Sequence, residues 1–346
     1  MKVGILGGGQ LARMLALAGM PLGIEFYFFE REVTRCVQHL GPITVGSFTD
    51  ESMLHQFAAK LDVITFESEN IPPQTLEFLL ENYSVRPGLP SLVTGQNRVR
   101  EKALFDQLNI KTVNYRHVQT AIDLQHAAEQ LGYPFIVKTV SGGYDGKGQF
   151  RVREKADLSS IPFDRQVTYL AEGWVEFDYE ISCVAVRSQH DEIRFYDLCH
   201  NQHEEGILRT TFPCQETSLN VQAHDYTARI MRELDHVGVL TVEYFVQNHQ
   251  LIANEIAPRV HNTGHWTIEA ATCSQFENHV RAICRLPLGD TTRTANYKMT
   301  NIIGAWPATH AELLAQPGLH LHDYLKQPRL GRKLGHINEI YSDKTL

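Results

Sequence analysis

Two acids interrupt apolar strands late in the chain: Glu243 within Val239–Val246 (VLTVEYFV) and Glu255 within Gln250–Ile256 (QLIANEI). Burying a carboxylate in such a strand is unfavourable unless it is paired or ligates a cation. Two of them on adjoining strands point to magnesium, with buried salt bridges as the structural alternative. The run from Ala257 to Trp266 (APRVHNTGHW) follows directly and gathers Arg259, His261, Asn262 and His265 beside the second acid. Basic and polar groups so concentrated read as a reacting centre. Further upstream, the strand-like Phe135–Lys138 (FIVK) delivers its lysine into Ser141–Gln149 (SGGYDGKGQ), a loop with four glycines and a second lysine, Lys147. Such a loop can lay backbone N–H groups and ammonium charge over a polyphosphate. An exposed hairpin tip is the alternative. The linker Gly173–Asp178 then leads from Thr168–Glu172 into Tyr179–Arg187 (YEISCVAVR), with Glu180 at its start. Here a linker can hold adenine through its backbone while the acid grips the ribose; a solvated acid at a strand end is the other reading.

The elements that must position these groups begin with Lys2–Leu6 (KVGIL), a short buried strand, then Gly7, Gly8 and Gly9, then a helix over Gln10–Ala18. Gly7-x-Gly9-x-x-Ala12 fits the dinucleotide fingerprint, with Glu30 near the position of the ribose-binding acid. Its physical content is narrower. Glycines let a ligand approach the backbone, and the helix N-terminus favours an anion. NAD, another phosphate ligand and a plain tight turn all remain open on this motif alone. Strands at Ile24–Phe29 and Val63–Phe66 alternate with helices near Asp50–Lys60 and Pro73–Glu81, which predicts a parallel sheet. The turn Arg86-Pro87-Gly88 closes this first unit. A helix over Asn97–Leu108 carries Arg98, Arg100, Glu101 and Lys102, most of them expected on a solvated face, and a turn at Asn248-His249 joins the two acid-bearing strands as a hairpin.

At 346 residues the chain should hold about two or three folding units. Its 43% hydrophobic and 21% charged residues match an average enzyme, and no apolar run approaches the roughly 20 residues of a membrane helix. Six scattered cysteines with no CxxC pair fit neither a zinc site nor a disulfide framework, so a reducing cytoplasm is expected. The opening MKVGILGGG lacks the form of an export signal. A net charge of −8 offers no broad attraction to nucleic acid, and any anionic ligand must be held by local basic groups.

A lysine on a strand, a glycine-rich lid, an acid after a linker, and paired glutamates followed by Ala-Pro-Arg, in that order, resemble the ATP-grasp superfamily. More closely, GGGQLARML, SGGYDGKGQ, HNQHEEGILRTT and NEIAPRVHNTGHWT, from Gly7 to Thr267, resemble the N5-carboxyaminoimidazole ribonucleotide synthetases, and Gln327–His336 (QPRLGRKLGH) resembles their C-terminal PGRKxGH motif. HNTGHW argues against the sister transformylases and biotin carboxylases. A dehydrogenase would leave the lid and the paired acids unexplained, and a regulatory module would not need Lys138, Glu243, Glu255 and Arg259.

The resemblance implies a mixed α/β and α+β fold: a Rossmann-like pre-ATP-grasp domain over residues 1–96, an ATP-grasp domain with a mobile lid over 97–287, and a small C-terminal domain over 288–346. It implies an ATP-dependent carbon–nitrogen ligase of purine biosynthesis that joins bicarbonate to 5-aminoimidazole ribonucleotide. It also implies a cytoplasmic homodimer that passes its product to a mutase, with no nucleic-acid or membrane partner. By the same resemblance Arg98, Lys138, Gly143, Tyr144, Asp145, Gly146, Lys147, Gly148 and Gln149 contact ATP phosphates. Glu172, Gly173, Trp174 and Val175 frame adenine, Glu180 takes the ribose, and His203 and Asn254 line the nucleotide pocket. Glu243 and Glu255 hold Mg2+. Arg259, His261, Asn262 and Lys147 form the catalytic group, with Arg259 on bicarbonate and His261 as a proton carrier. The ribonucleotide meets the turn Gly8, Gly9, Gln10 and Leu11, together with Glu67, Asn70, Tyr144 and Asp145. Lys326, Arg332 and Lys333 hold its phosphate; a solvated surface is the alternative for these three. Ala257 stands where many ATP-grasp relatives place a metal-binding asparagine, so a second Mg2+ would be held differently.

Overall fold

Short apolar strands alternating with helices can bury both strand faces only in a parallel sheet, and the N-terminal part folds that way. The computed structural model describes residues 1–142, 148–163 and 167–341. Strands β1 (Lys2–Leu6), β2 (Glu25–Glu30), β3 (Ile43–Val45) and β4 (Val63–Phe66) pair in the order β3-β2-β1-β4, all parallel. Gly7 ends β1 at φ +114, and a Cβ there would lie 2.5 Å from Glu67 Cγ, so the turn into helix Gln10–Gly19 requires glycine.

A second, antiparallel sheet follows. It holds β5 (Tyr115–Val118), β6 (Phe135–Thr139), β7 (Gln149–Val152) and β8 (Tyr169–Gly173) in the order β5-β8-β6-β7. Helix Ala121–Leu131 closes its core through Leu124, Ala127 and Ala128 against Phe135 and Val137. Lys138 sits opposite Gln149 across the β6–β7 ladder, at the neck of the glycine-rich loop. The loop residues Gly143, Tyr144, Asp145, Gly146 and Lys147 lie outside the described residues.

The third sheet organises the molecule. It comprises β9 (Tyr179–Arg187), β10 (Ile193–Phe195), β11 (Cys199–Glu204), β12 (Ile207–Pro213), β13 (Gly238–Gln247), β14 (Gln250–Ala257), β15 (Asn296–Ile303), β16 (Leu319–Asp323) and β17 (Lys333–Tyr341). Their order is β14-β13-β9-β11-β12-β15-β17-β16, with β10 added to β9. The β13–β14 turn has Asn248 and His249 at φ 49 and 59, the pair of left-handed residues that a two-residue hairpin requires. The C-terminal strands are not detached from the central part: β15 pairs with β12 through Thr210↔Thr300 and Thr211↔Met299.

Two buried histidines pin the N-terminal part to this sheet. His279, on helix Gln275–Ile283, accepts the Val239 N–H at Nδ1 (3.1 Å) and reaches Thr65 on β4 through Nε2 (2.9 Å). His236 joins Ser91 Oγ (2.9 Å) to the Val239 carbonyl (3.0 Å). No helix among the described residues is long and apolar enough to cross a membrane.

Candidate active site

The register of β13 on β14 sets Glu243 directly across from Glu255, so the two carboxylates leave the sheet on one face. They do not stay together. Glu255 turns to Arg98, whose Nη1 lies 3.2 Å away, while Glu243 turns toward His261 Nε2 at 3.3 Å. Like charges on adjoining strands repel, and each acid takes its own partner. Burial, and then the charge of Glu255, push the Glu243 carboxyl above the usual carboxylate range. Two acids in register, one raised first by its burial and then by the charge of the other, form a donor set that a divalent cation would satisfy, so the residues fit Mg2+. Asn262 adds to that fit, because both polar atoms of its amide are buried without a hydrogen-bond partner.

Beside the acids lies a buried ion-pair lattice. Glu172 on β8 meets Lys102 Nζ at 3.1 Å and is bonded to Lys138 on β6. Burial alone would raise its carboxyl, but the two ammonium groups hold it down at about 2. Lys102 also donates to the carbonyl of Asn254 (2.8 Å) and to Thr112 (3.1 Å). Glu101 accepts the Ile256 N–H at 2.5 Å, and burial pushes its carboxyl up to about 8. The expected solvated face of this helix is therefore wrong for most of its charges. Arg98, Glu101 and Lys102 fall at i, i+3 and i+4 ahead of the fully buried Phe105 at i+7, which is the inward stripe of helix Arg98–Gln107. Arg100 and, further along, Asp106 are the exposed charges of the helix.

Of the residues expected to frame adenine, Glu172 is the buried anchor of this lattice. The Gly173 N–H donates to Asn114 O (2.8 Å), and Trp174 is exposed beside the Arg151 guanidinium. Glu180 and His203 do meet, with His203 Nδ1 3.1 Å from Glu180 Oε2. Gly148, at φ +73, packs against Thr139, and Gln149 opens β7.

Arg259 is held in a bidentate pair with Glu69, Nη2 to Oε1 at 3.0 Å with Nε to Oε2 alongside, and donates to Val260 O. Glu69 was not singled out from the sequence. Its position just past the C-terminal end of β4, where ligands gather in open α/β sheets, was the available signal. Asn70, which was singled out, is exposed. His261 Nδ1 stands 2.9 Å from Thr263 Oγ1 and 3.4 Å from the Thr263 nitrogen, Nε2 faces Glu243 at 3.3 Å, and burial lowers the ring's pKa well below the usual imidazole value.

The glycine turn also differs from expectation. Gly8 N–H donates to Glu30 Oε2 (3.0 Å), Gly9 N–H to Glu67, and Ala12 N–H to Glu67 Oε2 (2.9 Å). Two of the turn's backbone donors, those of Gly8 and Gly9, meet the chain's own carboxylates, because a helix N-terminus attracts a nearby anion. Glu67 is buried there, and burial raises its carboxyl. Leu11 is buried, while Gln10 accepts a bond from Lys326, which reaches across from the C-terminal part. Arg332 and Lys333 follow closely; Arg332 donates from its side chain to Gln327 O at 3.4 Å.

A lysine-bearing antiparallel sheet with a glycine loop, set against a sheet carrying paired acids and behind a parallel N-terminal sheet, defines the ATP-grasp class of ligases. The ATP-grasp domain family matches residues 103–276, the ribonucleotide synthetase preATP-grasp domain matches 1–96, and the phosphoribosylaminoimidazole carboxylase C-terminal domain matches 298–345. The chain is 45% identical to N5-carboxyaminoimidazole ribonucleotide synthase of Pseudomonas aeruginosa, over 99% of this chain and 96% of that one. It superposes on the N5-carboxyaminoimidazole ribonucleotide synthetase of Thermus thermophilus with TM-score 0.94 at 41% identity, covering 99% and 94% of the two chains. The Aspergillus clavatus synthase, solved with ADP and 5-aminoimidazole ribonucleotide, gives TM-score 0.90 at 30% identity over 98% and 93%. The chain belongs to the N5-carboxyaminoimidazole ribonucleotide synthase family.

Proposed function

We propose that this chain joins bicarbonate to the amine of 5-aminoimidazole ribonucleotide at the expense of ATP, giving the N5-carbamate, ADP and phosphate. The observation that carries the reading is the setting of Arg259. Locked by Glu69, it feels the charges of both Glu255, on the nucleotide side, and Glu67, on the glycine-turn side. A guanidinium fixed between a nucleotide pocket and a ribonucleotide pocket can steady bicarbonate, and then the phosphoryl group it receives, where the two substrates meet.

Bicarbonate is a poor electrophile. Transfer of the γ-phosphoryl group to one of its oxygens makes carboxyphosphate and releases ADP; the ribonucleotide amine then attacks the carbon, phosphate leaves, and the nitrogen loses a proton. Arg98 and Lys138 are suited to the ATP phosphates, and Glu180 with His203 to the ribose. Glu243 and Glu255 would hold Mg2+, which neutralises phosphate charge during phosphoryl transfer. His261, 3.3 Å from Glu243, would help keep that carboxylate in place, and Asn262 would present its open amide to substrate. Lys326, Arg332 and Lys333 are read as the grip on the ribonucleotide phosphate. Closure of the 143–147 loop with Tyr144, Asp145 and Lys147, as the family resemblance implies, would keep water from the intermediate. A division into three domains after residues 96 and 287 falls between elements, ahead of Arg98–Gln107 and beyond Gln275–Ile283. Six free cysteines suit a cytoplasmic site of action. Homodimerisation and transfer of product to a mutase rest on the family resemblance.

The test is ADP release by the purified chain with Mg-ATP and bicarbonate, with and without 5-aminoimidazole ribonucleotide. Strong dependence on the ribonucleotide is expected. Release that ignores it would leave the ligase class and remove the substrate.

A further inference from the structure

Three neighbouring strands carry donors to one face. Glu243 on β13 lies across from Ser182 on β9, two residues from Glu180, and Glu180 lies across from Asn201 on β11, two residues from His203. Side chains two apart share a face of a strand. A bulge in the β11–β12 pairing at Gln202/His203 re-aims that strand end. The result is that one ligand atom from each of Glu180, His203 and Glu243 lies within 4.8 Å of the other two. His203 Nδ1 is buried and stands 3.1 Å from Glu180 Oε2. His261 stands behind Glu243, its Nε2 3.3 Å from the carboxylate.

We propose that, in the absence of nucleotide, Glu180, His203 and Glu243 bind one divalent ion of the zinc or cobalt(II) class, and that this ion excludes ATP. An imidazole with two carboxylates suits such ions, whereas Mg2+ favours oxygen ligands alone. Exclusion follows from shared residues: Glu180 and His203 are assigned to the ribose and Glu243 to the nucleotide's own cation. The competition part rests on the reading under Proposed function; the binding part does not.

The full chain, stripped by chelator and free of nucleotide, is titrated with Co2+ and followed by visible absorption. One Co2+ per chain is expected, with ligand-field bands and no thiolate charge-transfer band. ADP should displace it, and a large excess of Mg2+ should not. His203→Gln is expected to weaken Co2+ binding by at least about tenfold, and Glu180→Gln serves the same purpose if that variant does not fold. Cys214→Ser, which alters the least buried thiol, should leave the spectrum unchanged. Undiminished binding in both site variants, a thiolate band, or independent binding of Co2+ and ADP would overturn the proposal. Loss of ribonucleotide-dependent ADP release would not, since no turnover enters the measurement.

Discussion

Arg259 owes its direction to Glu69, and the pair can be taken apart chemically. Glu69→Gln keeps the shape and removes the charge, so the guanidinium loses its bidentate hold. Turnover should fall about 10–100-fold, as misplacing a positioning group does, with the fold intact by circular dichroism; full activity would remove Glu69 from the site. Arg259→Lys should be more severe, because an ammonium group cannot reproduce a planar fork. Glu255→Gln separates two other roles. It keeps a hydrogen-bonding partner for Arg98 but weakens the acidic pair, so kcat should drop on the order of 10²-fold or more. Mn2+ binding in the presence of ADP, read by electron paramagnetic resonance, should weaken in parallel. Activity retained at saturating Mg2+ would count against the metal assignment.

Helix Arg98–Gln107 turns three charges inward, and its stability is set by what they meet. Lys102 is 1% exposed and serves Glu172, Thr112 and Asn254 together. Lys102→Met leaves Glu172 with one partner fewer in a buried setting, which should cost about 3–5 kcal/mol, read as a lower urea midpoint. A loss under 1 kcal/mol would mean that water reaches the lattice. The same helix marks what could be read in advance. Strands β4 and β9, the hairpin bearing Glu243 and Glu255, and the Asn248-His249 turn follow from local pattern and chain sterics, and the sequence announces them. The inward charges of Arg98, Glu101 and Lys102 do not follow from local pattern, since a charged stripe is ordinarily solvated and becomes buried only when β8 and β14 bring Glu172 and Ile256 against it. Glu69 was missed for the same reason, its partner lying far along the chain. At the glycine turn, the backbone donors of Gly8 and Gly9 meet Glu30 and Glu67, partners that lie 22 and 58 residues on.

Across the whole molecule, the joint between the N-terminal and central parts depends on neutral imidazoles. Burial lowers His236 to about 3 and His279 to about 4. Both folded values lie below the unfolded one, so between them the unfolded chain binds more protons and stability rises with pH. The contribution is complete above about pH 6.5 and is lost as pH falls toward the folded values, by on the order of 2 kcal/mol per histidine at about pH 5. Thermal midpoints should therefore decline from pH 6.5 to 5, and His279→Gln should flatten that decline; an unchanged slope would place the proton uptake elsewhere. The central sheet carries a different consequence. Its order β11-β12-β15-β17 means that β12 has no outer neighbour until residues 296–341 exist. Asn338 on β17 also donates to the carbonyl of His265 (3.1 Å), in the segment that carries His261 and Asn262. On the ribosome, a chain that has already made all its acids and Arg259 still presents an open strand edge, the kind that recruits other chains. Only the arrival of the last strands both seals that edge and fastens the reacting segment, so an incomplete nascent chain has no finished centre with which to spend ATP.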